Sequence, residues 1–309
     1  MSEPPPYVGR FAPSPTGPMH FGSLLAAVAS YLQAKSSGGK WLLRVEDIDP
    51  PREQPGADKS ILEALEDYGF EWDGPVAYQS RFLDRHEALL QQLLDEGHAY
   101  PCSCSRRDLA DVRHGSLGTI YPGRCRNGAR ATDVAIRVRT DDNVIRFTDA
   151  LQGEQSMRLE SESGDFIIKR RDGLIAYQLA VVTDDHDQGI TEVVRGIDLL
   201  DSTPRHLHLQ HLLGFTTPDY VHIPVAENAE GQKLSKLTGA TEIDRTETRG
   251  TLARALDALG QRPDKDIAAS SLDSIWEWAI ENWQPSVLTN QKRIAAAQYT
   301  LVADENPLS

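Results

Sequence analysis

The chain has 309 residues, 39% of them hydrophobic, and is therefore long enough for two or three compact units with a sizeable core. No apolar stretch approaches the roughly 20 residues of a membrane helix, and residues 1–6 lack the basic start and apolar centre of a secretory signal, so we expect a cytoplasmic protein. The formal net charge of −14 argues against broad, nonspecific nucleic-acid binding, because such binding requires many Lys and Arg side chains to neutralise phosphates.

Residues 9–23 form the first motif, in which a short strand leads through a rigid turn into a helix. Pro13, Pro15 and Gly17 constrain the turn, and apolar residues recur at helical spacing over 24–32. The backbone N–H groups at the start of such a helix attract anions. The pattern therefore predicts a nucleotide-phosphate site, although a connection without a ligand explains the turn equally well.

Two further residues of this motif favour a ligand. Gly22 has no side chain, so a ligand can touch the backbone there. His20 stands just before it and can donate a hydrogen bond to a phosphate or ribose oxygen. We therefore predict that both residues contact a nucleotide.

Four segments with different patterns follow one another along the chain. The first alternates strands, such as Trp41–Val45, with helices, such as the one that ends at Gly97, which is typical of a parallel α/β sheet. The second contains cysteines, arginines and short strands and is interpreted as an insertion. The third resumes the α/β pattern, so ligands are expected where the two halves meet, and the fourth is helical. The predicted bounds are 1–100, 101–172, 173–240 and 241–309.

The insertion contains all three cysteines of the chain, Cys102, Cys104 and Cys125. An odd number within one short window favours a metal over a disulfide framework. Three thiolates need a fourth donor to complete the tetrahedral shell of a structural zinc, and His98 and His114 are the ordinary candidates. The sequence thus predicts a structural zinc site whose fourth ligand the spacing leaves open.

Basic residues are concentrated in the same region of this acidic chain. Such a local basic surface is predicted to hold one short RNA stem-loop, although scattered, solvated arginines are the alternative explanation. The residues are Arg106, Arg107, Arg113, Arg124, Arg126, Arg130, Arg137, Arg139, Lys169, Arg170 and Arg171.

Two other clusters contain the residue types of a metal site but are predicted not to bind a metal. Residues 184–187 are expected at the end of a strand, where alternate side chains face opposite ways. His208 and His211 share one face of a predicted helix, but His206 does not align well with both. We expect surface or supporting roles for both clusters.

A second phosphate motif, the run Lys-Leu-Ser-Lys at 233–236, follows the predicted strand 220–225. A mobile loop with two ammonium groups suits a triphosphate whose charge shifts during reaction. Together with residues 20–23, it resembles the paired signatures of class I aminoacyl-tRNA synthetases, with Leu237 where many members have serine.

Five further residues stand where glutamyl-tRNA synthetases hold their amino acid: Arg10, Ser14, Glu46, Tyr177 and Arg195. Glutamate has two carboxylates and one ammonium, so two guanidiniums and one carboxylate are its chemical complement. Each residue alone would more often form an ordinary surface ion pair, but their order around the two signatures favours a glutamate site. The resemblance implies that Arg10 and Arg195 bind the carboxylates, that Glu46 binds the ammonium, and that Tyr177 lines the pocket.

The length of the chain indicates which group of synthetases it resembles most. The resemblance covers about residues 7–240, and the chain is too short for the large helical anticodon-binding portion of a full glutamyl-tRNA synthetase. This short chain, with its motifs and the sequence of residues 189–205, resembles the glutamyl-queuosine tRNA(Asp) synthetase family. Its members activate L-glutamate with ATP in the absence of tRNA and esterify it to queuosine, a modified base in the anticodon loop of tRNA(Asp).

This resemblance implies a Rossmann-type class I catalytic domain, an α/β fold, with a zinc-binding insertion and a short helical C-terminal region. It also implies Mg²⁺ with ATP, and Tyr121 as the fourth zinc ligand beside the three cysteines. The residues implied to be catalytic are His20, Lys233 and Lys236, and those implied to bind ATP are Pro13, Gly17, His20, Gly22 and Lys236.

Three other interpretations remain open at this point. A truncated glutamyl-tRNA synthetase would charge a tRNA 3′ end, and a class I-like ligase would join an adenylated carboxylate to a small amine. The third is an inactive RNA-binding module. The presence of both phosphate signatures argues against the inactive module, because a protein that only binds RNA requires neither of them.

Overall fold

The computed structural model describes residues 6–228, 230–234, 241–296 and 299. Its strands are β1 (Val8–Phe11), β2 (Lys40–Val45), β3 (Ala77–Tyr78), β4 (Ala99–Cys102), β5 (His114–Gly115), β6 (Gly118–Thr119), β7 (Ala135–Val138), β8 (Val144–Asp149), β9 (Gly153–Arg158), β10 (Ile167–Lys169), β11 (Glu192–Gly196), β12 (Asp219–Ile223), β13 (Val225–Glu227) and β14 (Arg293–Ala295). Its helices are α1 (Phe21–Ser36), α2 (Ala57–Asp67), α3 (Leu83–Asp95), α4 (Leu159–Glu162), α5 (Tyr177–Asp187), α6 (Thr203–Leu213), α7 (Thr248–Ala258), α8 (Lys265–Ala268) and α9 (Leu272–Glu281).

Two sheets with parallel strands lie side by side. The first has the order β1, β2, β3, and the second has the order β11, β12, β8, β9, in which β8 and β9 are antiparallel. The N–H group of Thr191, just before β11, donates to the carbonyl oxygen of Val8 in β1 at 2.9 Å and so joins the two sheets. The alternation of parallel strands with helices confirms the predicted α/β class.

Helix α1 supplies the centre of the main hydrophobic core. Its side chains Leu24, Leu25, Val28 and Leu32 are at most 1% exposed. They are buried because α1 packs against β1, β2 and β11 and also against α7 and α9. The residues before α1 are therefore held on a rigid support.

The tryptophans of the C-terminal helical region belong to the same core. Trp276 is 5% exposed, its ring lies edge-on to Tyr31 at a centroid distance of 4.8 Å, and its Nε1 donates to the Tyr68 carbonyl oxygen at 2.9 Å. Trp278 and Trp283 are half-buried and pack against this core. All three tryptophans of this region therefore contribute to the core.

The predicted insertion contains an antiparallel sheet in the order β10, β7, β4 and a short hairpin of β5 and β6. It also contains β8, which pairs with β12 of the parallel sheet, so that Asp149 lies beside Tyr220. The strand order thus places part of 101–172 in the body of the fold, and the bounds of the four segments stay a prediction.

One element differs from the sequence prediction. Residues 184–187 form the end of helix α5, so the expectation of a strand end is wrong. The apolar run 179–182 has the pattern of a buried strand, and a short buried helix cannot be distinguished from it by periodicity. Within the described ranges, the geometry of a metal site occurs at the three cysteines and not at this cluster or at the histidines of α6.

Across the described parts of the chain, every helix is too short or too polar to cross a membrane.

Candidate active site

The residues predicted to bind glutamate lie on neighbouring parallel strands and at the start of α5. Arg10 is in β1, Arg195 is in β11, Glu46 directly follows β2, and Tyr177 is the first residue of α5. Burial raises the pKa of the Tyr177 hydroxyl, and the charges of Arg195, Glu46 and Arg10 also act on it, so these groups are within electrostatic reach of one another. Ser14 is exposed in the turn after β1. The structure therefore brings four of the five predicted residues together around one position.

Arg10 and Arg44 are buried and share the carboxylate of Asp185. Nε and Nη2 of Arg10 donate to its two oxygens at 3.0 and 3.3 Å, and Nη1 of Arg44 lies 2.8 Å from Oδ1. Nη2 of Arg44 also donates to Oε1 of Glu46 at 3.3 Å. Burial by itself would raise the pKa of Asp185, but the charges of Arg10 and Arg44 outweigh this effect and lower the pKa to about 2. These four side chains thus neutralise one another inside the protein.

Arg195 has a different environment, because its partners are neutral. It is 6% exposed, and it donates to Nε2 of His222 and to Oγ1 of Thr203, both at 2.9 Å. Its Nη1 lies 3.2 Å from Nδ1 of His206 and 3.5 Å from the hydroxyl of Tyr177. In the part of the chain that the structure describes, no carboxylate oxygen lies within 4.0 Å of it. A buried guanidinium without an acid is costly, so Arg195 is the strongest candidate for binding an anionic ligand.

The predicted phosphate turn leads into α1 as expected. His20 caps the helix, because its Nδ1 accepts a hydrogen bond from the Ser23 N–H group at 3.2 Å, and the proton of its neutral form is therefore on Nε2. Gly17 has a φ of 137°, which residues with a side chain rarely adopt. The carbonyl oxygen of Pro13 accepts from the N–H group of Glu46 at 2.9 Å. This bond attaches the predicted phosphate turn to Glu46, one of the residues predicted to bind glutamate.

The beginning of the second phosphate motif, Lys233 and Leu234, lies close to the start of α1. A Cβ atom at Gly22 would lie 3.6 Å from the carbonyl oxygen of Leu234, an ordinary van der Waals distance, so the backbones of the two motifs are close neighbours here. Nζ of Lys233 lies 2.5 Å from Oδ2 of Asp198. Lys236, predicted to bind ATP and to act in catalysis, lies outside the described residues. The structure thus brings the beginning of the second signature to the first.

The three cysteines of the insertion come together as predicted. The sulfur atoms of Cys102, Cys104 and Cys125 lie within 4.8 Å of one another, a spacing that suits one metal ion with bonds of about 2.3 Å. The hydroxyl oxygen of Tyr121 lies 3.3 Å from Sγ of Cys102 and 3.4 Å from Sγ of Cys104. Four donor atoms therefore converge on one place, which is a candidate metal site.

The two histidines considered as a fourth ligand have other partners. His98 is half-buried and lies near a glutamate carboxylate, and His114 is exposed and lies near a threonine hydroxyl. Arg137, in contrast, lies against the cluster, with its guanidinium 4.0 Å from the ring centroid of Tyr121 and its Nε 3.3 Å from Sγ of Cys102. A positive charge at this position stabilises groups that become anionic when they bind a metal.

The basic residues of this region divide into two groups. Several are used within the protein, such as Arg126, which forms ion pairs with Asp165 at 2.6 Å and Glu160 at 2.7 Å. A second group is exposed and, as far as the described residues extend, forms no ion pair within 4.0 Å, which leaves its charge available to a polyanion. Its members are Arg106, Arg107, Arg113, Arg124 and Arg130.

Several residues that shape the site were not predicted from the sequence. Arg44 and Asp185 form the buried ion pairs with Arg10, and His222 supports Arg195 from a position 27 residues away. Residues that are so far apart in the sequence form no local motif from which their contact could be predicted. A usable signal was His222 itself, because a histidine inside the apolar run 220–225 requires a buried partner.

The model of the family "tRNA synthetases class I (E and Q), catalytic domain" matches residues 7–257. A glutamyl-Q tRNA(Asp) synthetase of Pseudomonas fluorescens is 51% identical over 296 residues, which are 94% of this chain and 97% of that protein. One from Pseudomonas aeruginosa is 53% identical over 278 residues, which are 90% and 93% of the two chains. The crystal structure of a glutamate tRNA ligase from Elizabethkingia meningosepticum in complex with its amino acid superimposes with a TM-score of 0.78 and 26% identity, over 95% of this chain and 68% of that one. The structure of a glutamate-tRNA synthetase from Elizabethkingia anophelis superimposes with a TM-score of 0.79 and 26% identity, over 95% of this chain and 69% of that one.

We predict that Asp185→Asn destabilises the protein by about 3–5 kcal/mol at pH 7, because it leaves Arg10 and Arg44 without their shared carboxylate. The pKa of Asp185 is depressed from 3.8 to about 2, so its stabilising effect is complete above pH about 4 and is lost as the pH falls toward 2. Urea unfolding at pH 7 and pH 3 should therefore show a smaller difference between wild type and variant at the lower pH.

The matched control is Asp187→Asn on the same helix, whose carboxylate pairs with Arg85 at the surface and should contribute less than about 1 kcal/mol. Equal stability losses for the two variants would contradict the assignment of Asp185 as the shared buried counter-ion.

Proposed function

Because the chain belongs to the family of class I tRNA synthetases for glutamate and glutamine, we propose that it activates L-glutamate with ATP and transfers it to queuosine in tRNA(Asp). The glutamyl-Q tRNA(Asp) synthetases are 51–53% identical and are covered over 93–97% of their length. The glutamate tRNA ligases are 26% identical and are covered over 68–69%. Transfer of glutamate to queuosine is therefore favoured over charging of a tRNA 3′ end.

The observation that carries this proposal is the buried charge of Arg195, which has no acid within 4.0 Å among the described residues. L-Glutamate has a net charge of −1 at neutral pH, and its side-chain carboxylate supplies the missing acid. Glutamine has no such charge and would leave the guanidinium buried and unpaired. The arrangement thus favours an acidic amino acid.

The other predicted residues complete an amino-acid pocket around Arg195. Glu46 is buried beside Arg44 and would bind the ammonium group of the substrate. Arg10 binds Asp185 through Nε and Nη2, so it would reach a substrate carboxylate through Nη1, whose contact with a backbone carbonyl is long at 3.5 Å. Tyr177 would form one wall, and Ser14 would meet the amino acid from the exposed turn.

Activation requires alignment rather than a general base. The α-carboxylate of glutamate is already ionised at neutral pH; its oxygen attacks the α-phosphorus of ATP, and the bond to pyrophosphate breaks. Gly22 and the start of α1 would lie against the phosphates, with Nε2–H of His20 as a donor. Lys233 and Lys236 would stabilise the leaving pyrophosphate, with Mg²⁺ accompanying ATP, and Pro13 and Gly17 would shape the turn.

Transfer then uses a hydroxyl group of queuosine as the nucleophile. It attacks the carbonyl carbon of glutamyl-adenylate, an ester bond forms, and AMP leaves. The exposed arginines of the insertion would contact the phosphates of the anticodon stem-loop, since they form no ion pair with the described residues. With tRNA(Asp) as the acceptor, we propose a cytoplasmic location.

The insertion would be organised by one zinc ion. Cys102, Cys104 and Cys125 provide three thiolates, and Tyr121 is the fourth donor favoured by its distances of 3.3 and 3.4 Å to two of the sulfur atoms. Such a site, closed by four protein ligands, stabilises a fold and does not react.

We predict glutamate-dependent exchange of pyrophosphate into ATP without tRNA. Arg195→Ala should cost about 2–5 kcal/mol in kcat/KM for glutamate, because a substrate carboxylate loses its partner. Lys236→Ala should lower the exchange rate by about 100- to 1,000-fold if its ammonium stabilises the transition state. Arg293→Ala, a 71% exposed side chain, is the control and should leave exchange unchanged. Equal exchange with glutamine and glutamate would contradict the assigned substrate.

We predict one tightly bound zinc per chain in untagged protein, measured by metal analysis. Tyr121→Phe should weaken zinc retention against a chelator, whereas His98→Ala and His114→Ala should not, because these histidines lie outside the cluster. A folded, zinc-free preparation in which all three thiols titrate freely would refute the zinc site.

We predict that labelled glutamate is attached to tRNA(Asp) that contains queuosine and not to the same tRNA made without it. The comparison of the two tRNAs is needed because periodate oxidises both the base diol and the terminal ribose. Equal labelling of both forms, or label on the terminal adenosine after nuclease digestion, would favour a truncated glutamyl-tRNA synthetase. Exchange without transfer to any RNA would favour a ligase for small amines, and the absence of exchange would favour an inactive RNA-binding module.

A further inference from the structure

Two buried residues, Asp149 and His222, lie behind Arg195 and outside the set of residues proposed to contact the amino acid. His222 is in β12 and Asp149 ends β8, and both are 0% exposed. Oδ2 of Asp149 lies 2.6 Å from Nδ1 of His222, and Nε2 of His222 lies 2.9 Å from Nε of Arg195. A carboxylate, an imidazole and a guanidinium are therefore connected in one line.

The two ends of this line fix the proton on the imidazole. An ionised Asp149 can only accept a hydrogen bond and Arg195 can only donate one, so His222 carries its proton on Nδ1 and presents a lone pair from Nε2. Burial raises the pKa of Asp149, but His222 and backbone N–H groups lower it below the ordinary value. Burial lowers the pKa of His222. Both shifts favour this protonation state at neutral pH.

Asp149 is held in place independently of the imidazole. Its Oδ1 accepts hydrogen bonds from the backbone N–H groups of Leu151 and Gln152 at 3.0 and 2.9 Å, in the turn between β8 and β9. Strand pairing places it beside Tyr220 on β12. The line that ends at Arg195 therefore begins at a fixed point of the sheet.

The imidazole between the two charges has an electrostatic consequence. A carboxylate in direct contact with Arg195 would neutralise the guanidinium, as Asp185 does for Arg10, and would compete with a carboxylate ligand. His222 supplies an uncharged hydrogen-bond acceptor, and its imidazole ring separates the carboxylate of Asp149 from the guanidinium of Arg195. Arg195 is thereby held in one orientation while its charge stays available.

We propose that Asp149 and His222 are positioning residues for amino-acid recognition: Asp149 fixes the tautomer of His222, and His222 orients Arg195 toward the substrate carboxylate. This rests on the proposed activation of glutamate and adds to it the residues that hold the recognising group in place.

The test is pyrophosphate exchange by full-length variants, with KM for glutamate and KM for ATP measured separately. The Asp149→Asn variant no longer fixes the proton of His222 on Nδ1, and the His222→Leu variant removes the hydrogen-bond acceptor of Arg195. Both should raise KM for glutamate about 10- to 100-fold, the effect of losing a hydrogen bond to a charged group, and change KM for ATP less than about twofold. His222→Gln keeps an acceptor and should lose less than His222→Leu. Asp219→Asn, exposed on the same strand, is the control and should behave as wild type.

Folded Asp149→Asn and His222→Leu variants with an unchanged KM for glutamate would overturn the proposal. A parallel rise of both KM values would also overturn it, because that result indicates general disruption. Absence of glutamate-dependent exchange in the wild type would instead contradict the proposed function.

A spectroscopic measurement on the wild-type protein tests the proposed tautomer of His222 without any variant. Nitrogen NMR of ¹⁵N-histidine-labelled protein at pH 7 should show His222 with a protonated Nδ1 and a bare Nε2. A proton on Nε2, in either the neutral or the charged ring, would overturn the proposal, even if the variants fail to fold.

Discussion

The site depends on a guanidinium that is buried without a carboxylate within 4.0 Å among the described residues. Among the described residues Arg195 has five neutral hydrogen-bond partners, and its charge is left for a ligand. Arg10 and Arg44, which are also buried, share the carboxylate of Asp185. Nη1 of Arg10 has only a long contact of 3.5 Å, to a backbone carbonyl oxygen. The protein thus separates two arginines that are paired with its own acids from one arginine that is not. Under the proposed function, the side-chain carboxylate of glutamate would neutralise the unpaired charge of Arg195.

The fold makes this separation possible. Parallel pairing of β11 with β12 sets Arg195 beside His222, and pairing of β12 with β8 brings Asp149 to the same place. The first phosphate signature and Leu234 of the second meet at the start of α1, which is fixed by packing on both the sheet and the C-terminal helices. The residues proposed to bind the amino acid and the nucleotide are therefore held on rigid elements.

The sequence predicted the α/β class, the meeting of the three cysteines and the convergence of Arg10, Glu46, Tyr177 and Arg195, because motif spacing and resemblance carry that information. Spacing alone left the fourth donor of the cysteine cluster open, and the distances of Tyr121 favour the ligand that the resemblance implied. The supports of the arginines were beyond prediction, since Asp149 and His222 are 73 residues apart and meet only through strand pairing. Asp185 was misplaced at a strand end, because a short buried helix has no amphipathic pattern.

The most direct measurement is a crystal structure of the protein with L-glutamate. The account predicts an oxygen of the glutamate side-chain carboxylate within about 3 Å of a guanidinium nitrogen of Arg195, with the contact between Arg195 and His222 retained. A bound glutamate whose two carboxylates both lie away from Arg195, or an Arg195 that leaves His222 to pair with an acid of the protein, would contradict it.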